Sequence, residues 1–162
     1  MSRIIATFLY VGYLRPAPGT WGSLAALPIG WALIVLGGWQ LLAFGILTAF
    51  VAGLWATTEE TRDSGDHDPS EIVIDEVAGQ WIALLPIAYG AAMMSVQPLR
   101  LWPGWIVAFL LFRLFDITKP WLVGWADRRG DPLGVMLDDV IAGVFAAIGV
   151  VALASLYHAV LM

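Results

Sequence analysis

The chain has 162 residues, 60% of them hydrophobic and only 13% charged, with a net charge of -5 and a mean hydropathy of +0.81. Soluble domains carry about 25% charged residues, so these values describe an integral membrane protein, expected to be a single domain over residues 1–162. The absence of cysteine excludes disulfides, zinc–thiolate sites and thiol nucleophiles, and the acidic balance leaves no basic stripe for nucleic acid.

Residues 1–20 read as a short amphipathic or interfacial segment that leads into Arg15-Pro16-Ala17-Pro18-Gly19-Thr20-Trp21-Gly22-Ser23. Arg3 and the apolar run from Ile4 to Val11 imitate a signal peptide, but the run is short and Gly12-Tyr13-Leu14-Arg15 offers no cleavage site. From Ser23 to Thr58 there is no charge, too long a run for one untilted span of about 20 residues. Gly37-Gly38 is the expected break, giving helices near 23–36 and 39–57, the first short enough to cross a thinned bilayer or to re-enter rather than span. A polar loop occupies 59–71, and a third apolar helix runs from about Val73 to Met94, with Asp75-Glu76 in its first turns. The 95–103 connector holds only Arg100, and the fourth helix runs from about Gly104 through Arg113, Asp116 and Lys119, where Pro120 ends it. A second polar loop spans 121–136, and the last helix starts at Leu137-Asp138-Asp139.

The expected fold is thus all-α, an integral membrane bundle of four to five hydrophobic helices. Five crossings place every acidic residue on one side, together with all basic residues except Arg100. The positive-inside rule makes that side cytoplasmic, so the polar site belongs at the cytoplasmic interface.

Three separate helix ends supply carboxylates there: Asp75-Glu76, Asp116 and Asp138-Asp139. Single acids at helix starts commonly act as N-caps, but one side chain suffices for a cap and here both starts carry two. Carboxylates without cysteine and with little histidine favour Mg²⁺ or Mn²⁺ over zinc. Gly79 and Gly143 lie one turn beyond the acids, and Gly143 with Ala147 makes a small-xxx-small pair that lets helices approach closely. Arg113, Lys119 and Arg15 supply positive charge suited to phosphate. The Pro18-to-Ser23 stretch, with the hydroxyls of Thr20 and Ser23, reads either as an anion-binding turn or as an ordinary turn capped by Ser23. Asp66-His67-Asp68 offers a base or ligand, or simply an acidic solvated loop. A metal and phosphate site at a membrane surface most simply handles a lipid phosphate, with the cation activating water, cations steadying the phosphoryl group and a spare carboxylate as base or nucleophile. A divalent-cation transporter would place its charges near the bilayer midplane, which this sequence does not. A non-catalytic lipid-binding subunit would leave the surplus carboxylates unexplained.

The chain resembles the bacterial phosphatidylglycerophosphatase A family. The resemblance rests on Pro18-Gly19-Thr20-x-Gly22-Ser23-Leu24-Ala25-Ala26 and on His67-Asp68 followed by Ile72-Val73-x-Asp75-Glu76-x-x-Gly79. It continues through Phe112-Arg113-x-x-Asp116-x-x-Lys119-Pro120-Trp121 and from Asp127 through Gly134 to Met136-x-Asp138-Asp139-x-x-Ala142-Gly143. It implies an all-helical, Mg²⁺-dependent, multi-pass enzyme of the bacterial inner membrane that converts phosphatidylglycerophosphate to phosphatidylglycerol. The catalytic carboxylates are then expected at Asp75, Glu76, Asp116, Asp138 and Asp139, with Glu76, Asp116, Asp138 and Asp139 as metal ligands. Arg113, Lys119, Arg15, Thr20, Ser23 and His67 are the expected substrate contacts, and no obligatory protein partner is implied. One stretch departs from the family pattern: where a Gly-Gly-x-Gly run is common before the acidic pair, this chain has Asp131-Pro132-Leu133-Gly134.

Overall fold

A computed structural model describes residues 1–62 and 69–161. The protein is an all-α membrane bundle, and among the described residues its helices are α1 (Ser2–Ala6), α2 (Pro18–Thr61), α3 (Ile74–Met93), α4 (Trp102–Thr118), α5 (Leu122–Asp127) and α6 (Pro132–Leu161). Short 3₁₀ turns at Val11–Tyr13 and Pro98–Leu101 lead into α2 and α4.

The long α2 is two helices. Gly37 (φ -151°, ψ 19°) and Gly38 (φ 67°, ψ -163°) leave helical geometry, and only glycine adopts the Gly38 conformation without strain. The chain doubles back there. Gly22 packs on Val73 and Gly53 on Ile74, so both ends of α2 lie at the start of α3, while Leu33 and Gly45 face each other near the turn. Each arm, at about 20 residues, matches the hydrocarbon thickness of a bilayer.

Three helical stretches among the described residues are long and apolar enough to cross a membrane: Pro18–Thr61, Pro98–Thr118 and Pro132–Val160. The fifth apolar segment, α3, is the axis of the bundle, buried along most of its length against α2, α4 and α6. The surrounding helices turn large apolar side chains outward, among them Leu36, Phe44, Leu47, Leu110, Ile117 and Ile148. A water-soluble monomer rarely exposes so continuous an apolar surface; lipid is its solvent.

Close approach is built from small residues. A Cβ on Gly143 would strike the Gly79 carbonyl, and one on Gly79 would meet the Asp139 carbonyl and the Phe112 ring at 2.5 Å. Thus α3 and α6 cross backbone to backbone, as the glycine spacing anticipates, with Phe112 of α4 filling the remaining side. Trp81 Nε1 donates to the Ala26 carbonyl (2.8 Å) and ties the first arm of α2 to α3, an interhelical bond worth about 0.6–2 kcal/mol in lipid.

Several boundaries differ from the sequence reading. The first arm of α2 begins at Pro18, not near residue 23, because Pro18 occupies the first helical turn, where its missing N–H is no loss. The 121–136 stretch is not all loop; it contains α5. The last helix begins at Pro132 rather than 137, with Asp131 Oδ1 accepting the Gly134 N–H at 2.7 Å. Where the family motif commonly has glycines, this chain therefore has a helix start, and the Arg129 guanidinium and the Gly134 N–H hold the Asp131 carboxyl below its usual range. Neither Asp75 nor Asp138 is a cap. Val73 precedes α3 with no side-chain cap bond, and Asp138 lies well inside α6.

Candidate active site

The hairpin in α2 and the alternation of α3, α4 and α6 deliver five acidic residues to one end of the bundle. Asp75 and Glu76 open α3, Asp116 lies in the last turn of α4, and Asp138 and Asp139 lie in the second turn of α6. The Gly79–Gly143 crossing sits one turn deeper and sets the spacing between the α3 and α6 acids. Asp75, Glu76 and Asp139 each offer an oxygen within 4.8 Å of the others, and Asp75 and Asp139 are 6% and 3% exposed. Asp116 is a charge neighbour of both Glu76 and Asp139.

The remaining two acids are engaged by cations. Arg113 NH1 pairs with Asp116 Oδ2 at 2.5 Å, both side chains 14% exposed. Lys119, in left-handed conformation at the end of α4, bridges Asp138 Oδ2 at 2.9 Å and also pairs with Asp127. Burial works against the Lys119 charge, but the Asp127 and Asp138 carboxylates outweigh it and hold its pKa above the ordinary lysine value.

The Pro18-to-Ser23 stretch is part of this centre. A Cβ on Gly19 would collide with Glu76 Oε1 and come within 3.2 Å of Arg113 NH1, so glycine here lets α2 meet the acidic face directly. Ser23 does not cap the helix. Its hydroxyl donates to the Gly19 carbonyl (2.8 Å) and accepts from Arg113 NH1 (3.3 Å). Thr20 is half-buried in the same first turn. Arg15 is exposed and donates to Ser70 Oγ at 3.2 Å, so it joins the 69–72 segment and not the Arg113 pair. His67 lies outside the described residues.

Of the expected metal ligands, then, Glu76 and Asp139 converge together with Asp75, while Asp116 and Asp138 stand beside them as partners of Arg113 and Lys119. Two residues near the acidic centre lie outside the set expected from the sequence. Asp127 is the second partner of Lys119; in sequence it opens the Asp127-to-Gly134 stretch of the family pattern without a site role of its own. Gln80 is fully buried one turn below Glu76; a glutamine inside an otherwise apolar helix is the signal that marks it.

The donor set fits a hard divalent cation. It offers carboxylate oxygen alone, the preferred chemistry of such ions, and Glu76 Oε2 is buried with no protein hydrogen-bond partner. Two positive side chains flank it, each steadied by its own carboxylate.

Fold and site together define an all-α membrane protein with an acidic, cation-flanked centre at one end of its bundle. The chain belongs to the phosphatidylglycerophosphatase A family: the family model with that description matches residues 4–154. It is 37% identical over 131 residues to phosphatidylglycerophosphatase A of Escherichia coli K12, covering 80% of this chain and 70% of that one. The Haemophilus influenzae protein of the same name is 37% identical over 152 residues, covering 93% of this chain and 87% of that one. A Bacteroides thetaiotaomicron protein provisionally described as a phosphatidylinositol-3-phosphatase is 38% identical over 151 residues, covering 90% and 88%. No solved structure matches this chain. The protein is an enzyme, a phosphatase of this family.

Proposed function

We propose that the protein hydrolyses the terminal phosphate monoester of phosphatidylglycerophosphate to give phosphatidylglycerol, with Mg²⁺ as its cofactor, at the cytoplasmic face of the bacterial inner membrane. The observation that carries this reading is the convergence of the Asp75, Glu76 and Asp139 oxygens within 4.8 Å of one another, beside Arg113 and Lys119. The names of the Escherichia coli and Haemophilus influenzae relatives support the substrate. The sidedness rests on the clustering of basic residues at the site's end of the bundle.

Asp75, Glu76 and Asp139 would hold the cation, with Asp116 and Asp138 adjacent. When bound, the cation supplies Lewis-acid charge neutralisation and a lowered water pKa. The chain's own groups do the rest. Arg113, its Nη1 held by Ser23 and Asp116, presents its Nη2 N–H groups to the phosphoryl oxygens, and Lys119 offers a point charge from the end of α4. Their preorganisation by fixed carboxylates avoids a reorganisation cost as charge develops on the departing phosphate. Asp116, next to both Glu76 and Asp139 but outside the converging trio, is the carboxylate assigned to take the proton from attacking water. The lipid-facing helix walls keep the diacyl chains in the bilayer while only the headgroup reaches the acids.

Purified protein in mixed micelles tests this directly. Phosphate release from phosphatidylglycerophosphate in Mg²⁺, lost in Asp139→Asn, is expected. Preferential release from phosphatidylinositol 3-phosphate would refute the substrate, and undiminished activity in EDTA would refute the metal.

A further inference from the structure

Below the acidic centre, the Gln80 side chain is fully buried, and neither its carboxamide oxygen nor its nitrogen has a hydrogen-bond partner. A buried amide without partners is costly compared with an apolar residue of the same shape. Its position on α3 gives a reason for it. Gln80 follows Glu76 by one turn and precedes Leu84 by another, so these residues share a face. Glu76 meets Gly19 of α2 and lies beside Arg113 of α4, Leu84 meets Gly30 of α2, and Ile87 meets Gly104 of α4. Gln80 therefore lies in the seam between the first arm of α2 and α4, directly beneath Glu76. Two more buried polar atoms at this end of the seam lack partners, Glu76 Oε2 and Arg113 Nε. The four atoms make two acceptors and two donors, the complement of one water molecule with its usual two to four bonds.

We propose that Gln80 is a positioning residue of the site, which fixes the Glu76 carboxylate through an internal water shared with Arg113. The proposal rests on the reading of Glu76 as a ligand of the catalytic cation. Gln80 touches neither substrate nor cation; it acts by restricting the carboxylate that does. Groups that orient metal ligands from behind typically change metal affinity or activity by about 10–100-fold when removed.

The test replaces the amide by apolar side chains of similar size, Gln80→Met and Gln80→Leu. Two quantities are measured: kcat and KM for phosphate release, and the Mg²⁺ concentration that half-maximally raises the melting temperature in detergent. The expected result is a kcat lower by about 10-fold or more with KM within about twofold, and a Mg²⁺ midpoint about 10-fold higher. Without Mg²⁺ the variants should melt at or above the parent temperature. Unchanged kcat or an unchanged Mg²⁺ midpoint overturns the proposal and leaves Gln80 an isolated core amide. Failure of both variants to fold overturns it too, by assigning the amide to the fold and not to the site. If the parent releases no phosphate from phosphatidylglycerophosphate, the substrate assignment fails by itself, and the Mg²⁺ midpoints still decide the role of Gln80.

Discussion

Gly79→Ala separates helix spacing from side-chain chemistry, because it removes no charged group. A Cβ at Gly79 would lie 2.5 Å from the Asp139 carbonyl oxygen and 2.5 Å from the Phe112 ring. Carbon contacts are comfortable at about 3.5–4.0 Å, so about 1 Å of relief is needed. Phe112 is fully buried, and the other obstacle is helix backbone, so α6 must retreat from α3. That movement carries Asp139 away from Asp75 and Glu76, whose oxygens now share a 4.8 Å cluster with its own. Magnesium demands near-octahedral oxygens at about 2.0–2.1 Å, and a 1 Å misplacement of catalytic groups can cost about 100-fold in rate. The expected outcome is a kcat about 100-fold lower and a raised Mg²⁺ requirement, with destabilisation of about 1–3 kcal/mol from overpacking. The assay is phosphate release from phosphatidylglycerophosphate across a Mg²⁺ titration, with Gly90→Ala as the control. At Gly90, on the same helix, a Cβ would meet nothing nearer than Met94 at 3.8 Å, and activity should stay at the parent level. A folded Gly79→Ala protein with parental kcat and Mg²⁺ dependence would show that the α3–α6 spacing does not set the site.

Lys119→Met leaves the buried Asp138 without its cation and should lower kcat by about 100–1,000-fold, read by the same phosphate assay; a change in KM alone would contradict the role given to Lys119. Ser23→Ala removes the hydroxyl that accepts from the Arg113 guanidinium, and at about 1.5–3 kcal/mol for a hydrogen bond to a charged group it should reduce kcat/KM by roughly 10- to 150-fold. Asp131→Ala should lower the melting temperature at neutral pH, because the carboxylate bonds the Gly134 N–H at the start of α6. The folded-state pKa of Asp131 is depressed, so its contribution is full above the unfolded value of about 3.9 and is lost as pH falls through the lower folded value. Melting curves of parent and variant should converge at strongly acid pH, and a gap that persists there would contradict the ion-paired cap.

Much of the site could be read along the chain because it is written in local terms. Acidic pairs near the ends of two helices and a third acid among cations fall at one end of the bundle once hydrophobic runs are counted, and that counting depends only on bilayer thickness. Gly37-Gly38 also announced its break, since two adjacent glycines weaken a helix by about 2 kcal/mol and leave the backbone free to turn. The glycines at 79 and 143 pointed to the crossing that the fold contains. What local reading could not assign was partnership. Asp116 and Asp138 look in sequence like equals of Glu76 and Asp139, yet Arg113 and Lys119 claim them, while Asp75 joins the converging trio.

The sequence by itself determined the all-α membrane architecture, the gathering of the acids at one end of the bundle and the residue types available for phosphate chemistry, because hydrophobic length and charge placement act residue by residue along a helix. Only the tertiary structure decided that α2 folds back to set Gly19 and Ser23 against Glu76 and Arg113. It also decided which carboxylates converge, and that Gln80 lies in the seam beneath them. These are distances between side chains on different helices. They follow from how closely small residues let backbones approach and from which charges then find each other in a medium that offers them no water.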